Sequence, residues 1–103
     1  MLAGLMQKFE NASVSYAASN GIERDRDWFM LKLQEEMGEL TQAWNRLTAR
    51  ARARGKTVEE MRQDLSDEVA DLLGHVLLLA HQNQLDIGSA MQRKWRFDPT
   101  AGN

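Results

Sequence analysis

Two acidic stretches carry the spacing most suggestive of chemistry. One reads Glu35-Glu36-Met37-Gly38-Glu39, the other Asp67-Glu68-Val69-Ala70-Asp71, with Asp64 one turn before it. On a helical wheel at about 100° per residue, Glu36 falls about 65° and Glu39 about 125° to one side of the local apolar stripe. Glu68 and Asp71 fall about 57° and about 117° to the same side of theirs. Each pair is spaced i, i+3, so its members are neighbours on one helix face. Two helices packed antiparallel would bring the pairs together on equivalent edges. Two like charges about 5 Å apart at an effective dielectric of about 20 repel by about 3 kcal/mol. Several such pairs would consume much of a domain's marginal stability, and no comparable set of lysines or arginines is interleaved on those edges. A hard divalent cation with oxygen ligands would neutralise them. Magnesium, which prefers a few carboxylates plus waters and phosphate oxygens, points to a phosphorylated substrate. Spacing alone leaves a second reading open, two solvated acidic helix faces that bind nothing.

The elements that would position these side chains are helices. The single proline, Pro99, lies near the C-terminus and leaves nearly everything before it free to be helical. Leu2, Leu5, Met6 and Phe9 mark a first helix to about Ala18, ended by the turn residues Ser19-Asn20-Gly21. A second helix starts near Asp25 or Asp27 with the stripe Met30, Leu33, Met37, Leu40, Trp44 and Leu47. It is expected to end in Arg50, Arg52 and Arg54 before Gly55. Thr57-Val58-Glu59-Glu60 is a capping box opening a third helix. Its stripe is Val58, Met61, Leu65, Val69, Leu72, Val76 and Leu79, and it runs to about Gln84. Asp86 or Ser89 caps a short fourth helix through Trp95, and the tail after Pro99 is expected to be loose. The expected architecture is all-α: a long antiparallel helical hairpin with two flanking helices. Two long stripes in so small a chain need further cover, so a four-helix bundle completed by oligomerisation, as a dimer or tetramer, is expected.

Composition narrows the classes. The 103 residues fit one domain, 1–103, with 43% hydrophobic and 27% charged residues. Thirteen basic against fifteen acidic residues give a formal charge of −2, which argues against a surface built wholly for nucleic acid. With no cysteine, a disulfide scaffold, a thiolate zinc site and a cysteine nucleophile are excluded. The longest apolar run, Val76 to Ala80, is too short to span a bilayer. The N-terminus lacks the basic start and apolar core of a secretion signal, so a cytoplasmic protein is expected.

LQEEMGELTQAW followed by LSDEVADLLGHVLLLA resembles the MazG-like, all-α nucleoside triphosphate pyrophosphatase superfamily. That family carries EExxE on one helix and ExxD on the next, followed by an apolar run. Glu35, Glu36 and Glu39 match the first half, and Glu68 and Asp71 the second. LDIGSAMQRKW resembles the family's tail through Asp86 and Lys94. The resemblance covers about 27–96 and implies hydrolysis of the α–β phosphoanhydride of a nucleotide, giving a monophosphate and pyrophosphate, a house-cleaning of the nucleotide pool. It implies that Glu36, Glu39, Glu68 and Asp71 hold Mg²⁺, with Mn²⁺ a possible substitute. Glu35 would help hold a further metal or act as base for the attacking water, and Lys94 would neutralise phosphate charge. GELTQAW and QLDIGSAMQRKW lean towards the dCTP- and dUTP-hydrolysing branches. His75 within DLLGHVLLL leans towards the phosphoribosyl-ATP pyrophosphatase branch, although Gly74 stands where that branch has an aromatic residue.

Trp28 and Trp44 are candidate stacking partners for a nucleobase, although Trp44 sits on the apolar stripe, where core packing is the plainer role. His75 reads as a packed histidine and His81 as a surface residue. Gly38 and Gly74 inside helices each cost about 1 kcal/mol against alanine, which suggests a close helix, subunit or ligand contact. The basic stretch Arg46, Arg50, Arg52, Arg54 and Lys56 offers the competing function, a non-catalytic helical interaction or nucleic-acid-binding module. No aromatic residues are interleaved there to stack bases, so nucleic acid is the less favoured partner.

Overall fold

A computed structural model describes residues 2–101. It contains helices α1 (Leu2–Asn20), α2 (Arg26–Leu47), α3 (Val58–Gln82) and α4 (Ile87–Trp95), and no strand among the described residues. The all-α expectation holds. The starts of the helices follow from local chemistry. The Asp25 carboxylate accepts from the Trp28 N–H at 2.8 Å, so Asp25 is the N-cap of α2. The capping box of α3 forms in both directions: the Glu60 N–H donates to Thr57 Oγ1 at 3.1 Å, and the Thr57 N–H donates to Glu60 Oε1 at 2.8 Å. Asp86, not Ser89, caps α4 by accepting from the Ser89 N–H at 3.0 Å.

The end of α2 differs from the expectation. The helix stops at Leu47 rather than continuing through the arginines. Ala49 turns left-handed at φ 65°, the Ala49 N–H donates to the Arg46 carbonyl at 3.2 Å, and the Arg50 N–H donates to the Asn45 carbonyl at 2.8 Å. These bonds form a Schellman motif, which satisfies the carbonyls left open by the last turn. Arg50, Arg52 and Arg54 are therefore exposed on the connection and not on a helix. The tail also differs. Asp98 accepts from the Thr100 N–H and hydroxyl at 2.9 and 2.7 Å, and the Ala101 N–H donates back to the Asp98 carbonyl, so a turn forms over 98–101 where a loose chain was expected, while the rest of that tail, 102–103, lies outside the described residues.

The chain divides into two compact units, Arg24–Val76 and a unit that joins the residues up to Glu23 with those from Leu77 onward. In the second, Met6, Leu77 and Ala80 form a small core, with Leu2, Phe9 and Ile87 packed on it. The first contains α2 and most of α3, which run antiparallel. Trp28 near the start of α2 meets His75, Glu36 meets Glu68 and Asp71, and Arg46 shares a cavity with Lys56 and Asp64. Its buried row on α2 is Phe29, Glu36 and Ala43, spaced by seven residues. Burying Phe29 alone contributes about 2 kcal/mol.

That row is rotated from the expected stripe. Met30, Met37 and Trp44 are about half exposed, as are Val69 and Leu73 on α3, so Trp44 is not a core residue. The apolar stripe is wider than the contact within the hairpin, and its outer half stays uncovered in the single chain. No helix among the described residues is long and apolar enough to cross a membrane.

Candidate metal centre

α2 and α3 bring their carboxylates together. Oxygens of Glu36, Glu68 and Asp71 lie within 4.8 Å of one another, as do oxygens of Glu35, Glu36 and Glu39. The two groups share Glu36, whose position on the inward row explains its place at the junction. Glu36 is only 6% exposed. Its Oε2 and the Oε2 of Glu68 are buried without a hydrogen-bond partner. Burial, the neighbouring Glu39 and its hydrogen bond, and the Asp71 charge push the Glu36 carboxyl up to about 7. Glu68 is raised by burial first and then by the charges of Glu39 and Asp71. The fold has thus gathered carboxylates where ionising them is costly. Orphaned buried oxygens and an all-oxygen donor set fit a hard divalent cation, which would supply the missing charge.

Other neighbours were not foreseen from sequence. His75 Nε2 stands 3.8 Å from Glu36 Oε1, while its Nδ1 is buried without a partner. Burial, followed by the Lys32 charge, holds the His75 pKa below its ordinary value, so the ring is neutral at pH 7. The expectation of a packed histidine holds, with a carboxylate beside it. His81 is half-buried rather than fully on the surface. Lys32, one turn before Glu36, is a cation on the acidic edge that the sequence reading did not count. It pairs with Glu35 at 3.3 Å, leaving Glu35 exposed beside the cluster.

Trp28 is half-buried next to the site, 6.0 Å from the His75 ring and 5.0 Å from the Phe29 ring, both edge-on. The Lys32 ammonium lies 5.9 Å from its ring centroid. Trp44 exposes half its surface on the outer ridge. Lys94 is exposed on α4, in the other unit, and is not among the residues gathered here. Gly38 is exposed, and a methyl group added there would meet nothing within 4 Å, so a close helix contact within the chain does not explain it.

A cavity of about 300 Å³ continues from the carboxylates towards the closed end of the hairpin. Glu39, Gln42, Ala43 and Arg46 line it from α2, Asp64, Asp67 and Glu68 from α3, and Lys56 from the connection. Lys56 is ion-paired with Asp64.

A family model described as the MazG nucleotide pyrophosphohydrolase domain matches residues 25–96. No curated protein and no solved structure matches the chain.

Proposed function

The chain belongs to the MazG nucleotide pyrophosphohydrolase family, and on that premise we propose that it is a Mg²⁺-dependent enzyme. It would cleave the α–β phosphoanhydride of a nucleoside triphosphate, with dCTP- and dUTP-like substrates preferred. The observation that carries the reading is the pair of orphaned, buried oxygens, Glu36 Oε2 and Glu68 Oε2, inside a group of carboxylates within reach of one ion. Glu36, Glu39, Glu68 and Asp71 would hold Mg²⁺, or Mn²⁺ in its place. Two overlapping groups that share Glu36 suit more than one ion. Such ions lower the pKa of a bound water and neutralise phosphate oxygens.

The protein's own contributions follow from its side chains. Glu35, exposed beside the cluster and poised by Lys32, would accept the proton of the attacking water. Attack at the α-phosphorus forms the new P–O bond as the bond to the bridging oxygen breaks, and pyrophosphate leaves. Neutral His75, wedged against Glu36, would keep that carboxylate in place. Trp28, at the aromatic end of the cluster, is suited to a nucleobase edge or face.

The half-exposed Met30, Met37, Trp44, Val69 and Leu73 support a second copy of the chain as their cover, giving a dimer or tetramer. We further propose that the whole chain, 1–103, acts as one domain and works in the cytoplasm.

The test is a screen of nucleoside triphosphates and phosphoribosyl-ATP with Mg²⁺, read as pyrophosphate release, with Glu68→Gln beside the wild type. Release from one or a few substrates, lost in the variant by at least about a hundredfold, is expected. Unchanged activity in the variant would remove the role of Glu68. No release from any substrate would refute the activity.

A further inference from the structure

The cavity beside the metal centre is not accounted for by the carboxylate motif. It shares two walls with the centre, Glu39 and Glu68, and then leads away to Gln42, Arg46 and Lys56. Its volume of about 300 Å³ is far more than a single water needs. Ala43 is its one apolar wall, so it is unsuited to a nucleobase, whose faces need apolar or aromatic partners. Arg46 lies seven residues after Glu39 on the same helix face, about 10 Å along the axis. Lys56 is engaged by Asp64, whereas Arg46, half-buried, has no ion-pair partner among the described residues. Its planar fork of donors matches phosphate oxygens, and the Gln42 amide adds another donor.

Charge decides what can enter. Four carboxylates face two cations in this cavity, so a bare anion is repelled and a bare cation would leave Arg46 unanswered. An anion that arrives with a divalent ion satisfies both ends: its metal at Glu39 and Glu68, its far oxygens at Arg46. At the opposite end of the cluster stand Trp28, Phe29 and His75. The site therefore has a direction, aromatic at one end and cationic at the other.

We propose that this cavity is the subsite for the β- and γ-phosphates, the pyrophosphate leaving group, with Arg46 its main binding residue and Lys56 its second. The assignment rests on the proposed activity for its substrate class. It implies that the nucleotide lies along the hairpin with its base towards Trp28 and its terminal phosphate towards the connection. It also implies that a triphosphate is held better than a diphosphate, because only the longer chain reaches Arg46.

The test is calorimetric binding of inorganic pyrophosphate with Mg²⁺ to wild type, Arg46→Ala and Arg46→Lys, with dCMP as the control ligand and Mn²⁺ affinity and Tm as checks on the fold. Arg46→Ala should weaken pyrophosphate by about tenfold to a hundredfold. Arg46→Lys should recover part of that loss, and dCMP and Mn²⁺ should bind all three proteins alike. Wild type that does not bind Mg²⁺-pyrophosphate, or Arg46→Ala that binds it as wild type does, overturns the assignment. So does a loss of dCMP affinity in step with pyrophosphate, which would put the other end of the nucleotide in the cavity. Arg46-dependent pyrophosphate binding by a protein that hydrolyses no triphosphate would support the subsite and refute only the activity.

Discussion

Glu36→Gln keeps the shape of the most buried carboxylate and removes its charge. In the folded chain the Glu36 carboxyl titrates at about 7, against an ordinary value of 4.5. The folded state therefore holds a proton that the unfolded chain has already released between those two values. Stability must fall as pH rises through that window and level off above it, by up to about 3 kcal/mol from this one group. Glutamine carries no charge at any pH and escapes the penalty. In EDTA at pH 8 the variant should be the more stable protein, by roughly 10 °C or more in Tm for a chain of this size. At pH 4.5 the two should melt together. Saturating Mn²⁺ at pH 8 should raise the wild-type Tm by ligand linkage and leave the variant nearly unmoved. Circular-dichroism melts under these conditions read all of this directly. Equal Tm values in EDTA at pH 8 would refute the account of Glu36 as a carboxylate held against its preference. Equal Mn²⁺ shifts in both proteins would refute its role as a ligand.

Two further predictions concern the frame and the assembly. Ala49→Gly should stabilise the protein by about 1 kcal/mol, because glycine adopts the left-handed C′ conformation without the cost of a Cβ; a lower denaturant midpoint would mean that the Schellman turn is not the native end of α2. Met37→Glu, on the uncovered ridge, should dissociate the proposed oligomer with helix content unchanged. Light scattering that shows the same mass for variant and wild type, or a monomeric wild type at micromolar concentration, would contradict the cover supplied by a second copy.

The helix starts were legible because each is set by a few adjacent residues. The side chains of Asp25, Thr57, Glu60 and Asp86 each accept from a backbone N–H three positions away. The acidic cluster was legible for a related reason, since i, i+3 spacing fixes a shared face whatever the helix packs against. The end of α2 was not, because an alanine occupies the left-handed position where glycine normally marks it. Gly55, itself left-handed at φ 82°, drew the expected boundary to the wrong side of the arginines. The orientation of α2 is not legible locally, because the apolar stripe is broader than the surface the hairpin buries. The wheel centred on all of it, whereas the fold turned Phe29, Glu36 and Ala43 inward and left Trp44 outside. His75 and the Arg46–Lys56 cavity depend on contacts between helices far apart in sequence, which no local pattern encodes.

Anomalous diffraction from crystals grown with Mn²⁺ tests the central claim most directly. A peak bonded to oxygens of Glu36, Glu68 and Asp71, with a second beside Glu35 and Glu39 when nucleotide is present, is the predicted result. Ordered carboxylates with no peak among them at saturating Mn²⁺ would contradict it.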